Sequence, residues 1–499
     1  MSISIDGVPY SHTDSVIGFW IIDEILLTRH LICALRKSVC CSCGCRGWCT
    51  IQMVFRWLVW SLVSMASGVY PPLRHDNCPY DPTDVKRSGL AGTPLARKSC
   101  VMYVKADWAE LSGTFGLAAW NDGLRPCPKC NASPDALFRV AGMSPVGTPW
   151  VLNTHEDYDA ACTRCEILVR LDAATHQAIL PLLRYDRRDH GSRGRALTAA
   201  VPALQLLAGD RLVESDDLLD VGDFDSLFAF PVSVKFWRRS NETIARNRNP
   251  LLNAAIGVTL ASLTGDVLHV LYLGVMQVYC RRVVWLLLTC GAWGIHSTMS
   301  QTIASGMLVC RQSLANFYTR RHGIYPREKL TRISNLSKKH LGDNSDRACK
   351  LKGAQTWGFF LFLLDMLRPR AGALGSEAQK LLRAGEALLT MVSTWRAAGP
   401  RLSVTKLQLA VDCWSTFCRL TADFEDMLIP KRHMMSHLVV SATWFGNPNL
   451  YSNFEDESLN KPLKASCRTV SQATFEPFLL LRFKILLQKR GVKRKRQAV

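Results

Sequence analysis

Acidic residues are scarce: 41 Asp and Glu stand against 61 Lys and Arg in 499 residues, a formal net charge of +20. That imbalance argues against a basic or neutral partner and for a polyanion, either nucleic acid or an anionic surface. A secretory leader is missing as well, because the first six residues alternate polar and apolar side chains, with no basic segment leading into an apolar one. The 19 Cys are therefore expected to be reduced, and CxxC pairs among them point to metal before disulfide. Clean membrane-length runs are also lacking. A span needs about 20 mainly apolar residues, whereas residues 51–69 carry Arg56 and residues 271–295 have Arg281 and Arg282 in their middle. Both stretches read as buried helices, and no membrane partner is expected. No repeat of fixed period and no low-complexity tract occurs, which excludes a solenoid. What the chain does have is apolar residues, 48% of the total, enough for a large core and for two or three domains.

Polar/apolar alternation marks strands at residues 2–5, 15–22 and 30–35, followed by a Cys/Gly-rich knot over residues 40–49 and an apolar helix over 51–65. A Pro/Gly/Asp-rich loop then leads to a fourth strand, residues 100–105, which ends at Ala106 and Asp107. Three strands, a helix and a strand, with Asp6 ending the first strand and Asp107 following the fourth, form the opening of a ribonuclease-H-like domain. In that fold the first and fourth strands are neighbours. Residues 135–242 are mixed and loop-rich, and residues 243–428 are mostly helical, with helices at 302–321, 356–367, 377–396 and 406–428. The expected architecture is an α/β, ribonuclease-H-like mixed sheet core (residues 1–134 and 429–485) interrupted by a large, mainly helical insertion. A basic tail, residues 486–499, closes the chain.

Two carboxylates on neighbouring strands, about 4.8 Å apart, can share a pair of divalent ions that clamp the attacking and leaving oxygens of a phosphoryl displacement. Asp6 and Asp107 fit that description, and Mg²⁺ or Mn²⁺ suits such oxygen ligands. The plainer alternative makes Asp6-Gly7 a turn and Asp107 a helix N-cap. Cys127-x-x-Cys130 and Cys162-x-x-Cys165 are two CxxC arms able to give tetrahedral sulfur ligation of Zn²⁺, the alternative being four buried thiols. Asp266 and His269 lie one helical turn apart, either as a functional pair or as an N-cap with a His packed beneath it. His433 and His437 share a spacing that can hold a metal, but no Glu lies between them as a metalloprotease requires, and a structural pair is the reading. Arg238, Arg239, Arg246 and Arg248, beside Trp237, suit backbone phosphates with stacking. Lys493, Arg494, Lys495 and Arg496 give the tail a nuclear-import composition and a phosphate-binding arm.

The segments Ile5-Asp6-Gly7-Val8, Ala106-Asp107-Trp108 and Cys127-Pro128-Lys129-Cys130 resemble the first and second acidic motifs of CACTA (En/Spm)-type DDE transposases. Asp266-Val267-Leu268-His269 resembles the Asp-x-x-His motif of that family's insertion. Residues 429–438, with His433 and His437, and Glu457-Ser458-Leu459-Asn460-Lys461 resemble its histidine segment and closing acidic helix. The resemblance implies Asp6, Asp107 and Glu457 as a metal-binding triad, with Glu455 as second choice for the third acid, and DNA as partner of a nuclease or strand transferase in the nucleus. The first acidic strand starts at Met1, so an upstream DNA-binding domain is expected to be missing. That favours the alternative of a catalytically inactive, transposase-derived nuclear protein that binds nucleic acid or protein. A zinc-stabilised interaction protein is a third class, and a homo-oligomer is left open.

Overall fold

The computed structural model describes residues 1–26, 28–42, 47–117, 120, 126–159, 162, 248–342 and 346–497, and the side chains of residues 455–457 and 488–497 lie outside that description. Cys165, Arg238, Arg239 and Arg246 fall outside it too. The chain divides into two units: Met1–Leu137, Trp150–Thr264 and Glu455–Val499 form the first, Phe138–Pro149 and Gly265–Phe454 the second.

The first unit is a mixed α/β structure on one five-stranded sheet of order β3-β2-β1-β4-β5. Its strands are β1 (Ser2–Pro9), β2 (Ser15–Asp23), β3 (Thr28–Arg36), β4 (Tyr103–Ala106) and β5 (Leu263–Gly265). β1 pairs antiparallel with β2, β2 antiparallel with β3, and β1 parallel with β4. Alternation along β1 decides which side each residue covers. Ile3 and Ile5 join Phe19, Val104 and helix α1 (Trp48–Ser67) in one core, through Ile51, Phe55, Leu58 and Leu62. Val8, Val16 and Trp20 face a second core built from the C-terminal helices, through Leu459, Leu463, Phe475, Leu479 and Phe483. Glycine frames α1 at both ends: Gly47 (φ 86°) precedes it, and Gly68 (φ 77°) closes it by donating its N–H to the Ser64 carbonyl at 2.9 Å. A short helix, α2 (Val85–Leu90), lies in the Pro/Asp-rich loop, and α3 (Trp108–Gly113) follows β4 directly.

The second unit is helical. A π-helical segment, Leu268–Val275, runs into α4 (Met276–Thr289), followed by α5 (Met299–Ile324), α6 (Lys338–Leu341), α7 (Gly353–Leu367), α8 (Ser376–Ala397), α9 (Val404–Leu420) and α10 (Pro430–Phe445). α7 is buried through most of its length, with Phe359, Phe360, Phe362, Leu363 and Leu364 fully inaccessible. The first unit then resumes with α11 (Phe454–Cys467) and α12 (Phe475–Gln497), the latter carrying the basic tail at its end. By length and composition alone, Trp48–Ser67 and Leu268–Thr289 reach the size of a membrane span. The second is 72% buried and the first 33%.

The structure differs from the sequence reading in two places. Residues 263–265, expected within the helical stretch, form β5, whose neighbour in the sheet is β4. The helix expected over residues 406–428 ends at Leu420, and Glu425–Met427 is a separate 3₁₀ turn. The cause lies further along the chain. The buried Arg432 guanidinium donates to the carbonyls of Cys418 (2.5 Å) and Thr421 (3.3 Å), satisfying the carbonyls that a continuing helix would have used. Bonds from a buried charged donor contribute about 1.5–3 kcal/mol each, whereas the exposed Arg368–Glu386 pair belongs to a class worth about 0–1 kcal/mol. In urea unfolding, Arg432→Leu is therefore expected to cost at least about 2 kcal/mol and Arg368→Ala less than about 1 kcal/mol. Equal effects of the two substitutions would deny Arg432 its capping role.

Candidate functional site

The parallel register of β1 and β4 is Ser2↔Tyr103, Ile3↔Val104 and Ser4↔Lys105. Carried on by two residues, the same offset brings position 6 level with position 107. Side chains two apart on a strand share a face, and neighbouring strands lie about 4.8 Å apart. Asp6 is a strand residue with Gly18 as its antiparallel partner, not the turn residue of the plainer alternative. Its carboxylate accepts a hydrogen bond from Asn460 Nδ2 at 2.5 Å. Asp107 does cap a helix: its carboxylate accepts from the Glu110 N–H at 2.7 Å at the start of α3. Glu457 and Glu455 are helical positions of α11, and Glu457 lies three residues, one turn, before Asn460.

A third carboxyl, which sequence reasoning passed over, belongs to this edge. Glu110 is hydrogen-bonded by the Thr114 hydroxyl and by the Gly7 N–H, directly after Asp6. Burial pushes its carboxyl above the ordinary range, the Thr114 bond pulls the other way, and the neighbouring Asp107 charge adds to the rise. The Asp-x-x-Glu spacing of residues 107–110 is the signal that was available, but in a sequence it reads as a helix cap.

In the second unit, the Asp266 carboxylate is fully enclosed and accepts four bonds: from the N–H groups of Leu268 (3.0 Å), His269 (3.0 Å) and Asn453 (2.8 Å), and from His269 Nδ1 (2.5 Å). Asp266 thus caps the segment and holds His269 at once, which is the plainer of the two alternatives. The Nδ1–H bond fixes the tautomer and ring orientation of His269, whose side chain remains a quarter exposed. π-Helical turns such as Leu268–Val275 are frequent at functional positions.

In the first unit Cys127 and Cys130 are both buried, and in the second His433 and His437 are buried with their Nε2 atoms 3.1 Å apart. Paired thiols and paired imidazoles are each donor types that zinc accepts. The expected partners of the first CxxC arm are placed otherwise: Cys162 packs in the sheet core beside Tyr158, and Cys165 is outside the described residues. Lys129, between the two thiols, is buried and donates to the Leu263 carbonyl at 2.7 Å, and burial pulls its ammonium down to about 8.

Of the basic residues singled out, Arg248 is half exposed and paired with Asp159 at 2.5 Å. Lys493, Arg494, Lys495 and Arg496 are helical positions in α12. Compared with known proteins, the chain matches no family model, no curated protein and no solved structure.

Metal analysis checks the CxxC pair. Purified protein is expected to carry metal, and Cys127→Ser is expected to lose it, while Cys162→Ser keeps it. Retention by Cys127→Ser would show that this pair holds none.

Proposed function

We propose that the chain is a transposon-derived, DDE-type DNA nuclease or strand transferase with a ribonuclease-H-like core, acting through Asp6, Asp107 and Glu457. The observation that carries the reading is the parallel pairing of β1 with β4, whose register, continued past the end of β4, brings position 107 level with Asp6, with α11 bonded to Asp6 through Asn460. A central strand flanked on one side by an antiparallel meander and on the other by a parallel strand is the arrangement the resemblance implies. It supports a meeting of two acids far apart in sequence, with the helix that carries Glu457 bonded to the first through Asn460.

In this reading Asp6 and Asp107 present hard oxygen ligands at the end of two strands, and Glu457 completes them from α11. Mg²⁺ or Mn²⁺, when bound, supplies positive charge for the attacked phosphate and lowers the pKa of the attacking water or DNA 3′ hydroxyl. The protein's part is to hold the carboxylates ionised and fixed, so that no reorganisation is needed when charge develops. The Cys127–Cys130 pair is assigned to structural zinc, which paired thiolates favour. DNA is held mainly through phosphates, consistent with the net +20 and with basic residues such as Arg248 and the end of α12, and the chain works in the nucleus without a membrane partner.

One observation favours a second reading, a catalytically silent descendant that still binds nucleic acid. Both aspartates are engaged in structural bonds, Asp6 with Asn460 and Asp107 with the α3 N-terminus. A metal-dependent nicking or strand-transfer assay separates the two. Asp107→Asn is expected to lower the rate about 10²-fold or more, and equal activity of variant and wild type would leave the silent reading.

DNA affinity is expected to fall steeply with salt and to vary little with sequence, because neutralising phosphates releases counterions. Removing residues 489–499 should weaken binding and flatten the salt slope. Filter binding at several salt concentrations measures both, and a salt-independent affinity would remove DNA as the partner.

A further inference from the structure

We propose that Glu110 is a positioning residue that fixes the separation of Asp6 and Asp107 by clamping β1 to the start of α3. The proposal rests on the reading of those two aspartates as a divalent-cation site.

Three observations converge on the clamp. The Glu110 backbone N–H donates to the Asp107 carboxylate at 2.7 Å, which orients that side chain. The Glu110 carboxyl reaches in the opposite direction, to the Gly7 N–H, next to Asp6 on β1. Thr114, one turn further along, donates its hydroxyl to the same carboxyl and holds it in that direction. One residue thus bonds to the neighbour of the first aspartate through its side chain and to the second aspartate through its main chain.

Gly7 is shaped to this contact. A Cβ at position 7 would stand 2.8 Å from Glu110 Oε1, so a side chain there would push the carboxyl off its bond to the Gly7 N–H. The φ of Gly7 makes no such demand, since Gly7 is an ordinary strand residue. β4 contributes no equivalent restraint past Ala106, because the strand ends there and the chain turns into α3. The relative position of the two carboxylates beyond the last ladder bond therefore depends on contacts of this kind. A carboxylate pair that shares ions tolerates little error in spacing, and a cation site is only as tight as the residues that hold its ligands.

The test is Mn²⁺ binding to the full chain, followed by calorimetry and by electron paramagnetic resonance, with melting temperature recorded for every variant. Wild type is expected to bind Mn²⁺, and Asp6→Asn and Asp107→Asn to abolish that binding. Glu110→Ala and Gly7→Ala should each weaken it about tenfold, the second although it retains the carboxyl. Glu110→Gln, which keeps the shape and an acceptor for the Gly7 N–H, should stay within about threefold of wild type. Wild-type Mn²⁺ affinity in a folded Glu110→Ala protein with a lowered melting temperature would make Glu110 a plain structural residue and overturn the proposal. Equal weakening by Gln and Ala would overturn it too, by assigning the effect to charge. If Glu110→Ala does not fold, Glu110→Asp, which withdraws the carboxyl by one methylene, carries the same expectation. Mn²⁺ binding that ignores Asp6→Asn and Asp107→Asn defeats the cation-site reading itself, an outcome distinct from failure of the Glu110 variants alone.

Discussion

The parallel pairing of β1 with β4 is the constraint on which the first unit depends. It is a short ladder, Ser2 to Ser4 against Tyr103 to Lys105, yet it closes a loop containing the whole meander, α1 and the Pro-rich segment. Loop closure on that scale is opposed by chain entropy, and the opposing gain is hydrophobic. Ile3, Ile5 and Val104 are sealed beneath α1 on one face, while Trp20, Leu463 and Phe483 cover the meander on the other. A sheet buried on both sides has a strongly specified register, because a slip of one residue would exchange Ile5 with Asp6. The same packing that stabilises the strands therefore fixes an acid, Asp6, on the central strand of the sheet.

Polar residues inside the first unit follow from that register. Ser2, Ser4 and Lys105 are buried on the face opposite Ile3 and Ile5, and Glu24, just past β2, lies 4.0 Å from the Lys105 ammonium and accepts the Ser2 hydroxyl. A buried lysine is tolerated only with such compensation. The interior near the acidic edge thus carries charge of both signs, whereas the core beneath α1 is almost wholly apolar.

Elements governed by local pattern were legible in the sequence: alternation located the first three strands, a short apolar run the fourth, length and apolar content α1, and helical pattern α5, α7 and α8. Features governed by distant partners were not. The end of α9 at Leu420 depends on Arg432, which no periodicity in residues 406–428 reveals. The place of Cys162 in the sheet core beside Tyr158 was hidden for a similar reason: spacing rules pair a CxxC with the next CxxC. Glu110 was concealed by the opposite effect, a convincing local explanation. Asp107 followed three residues later by Glu accounts for itself as a cap, and only the fold brings Gly7 to the other side of the carboxyl.

The enclosed carboxylate of Asp266 has a topological side. It joins the N–H of Asn453, and these two residues stand at the entrance and exit of the continuous part of the second unit, which runs from Gly265 to Phe454. A long stretch of chain therefore leaves and returns through one point, knotted by a single ionic oxygen. A segment built in this way adds almost no closure cost to whatever chain contains it.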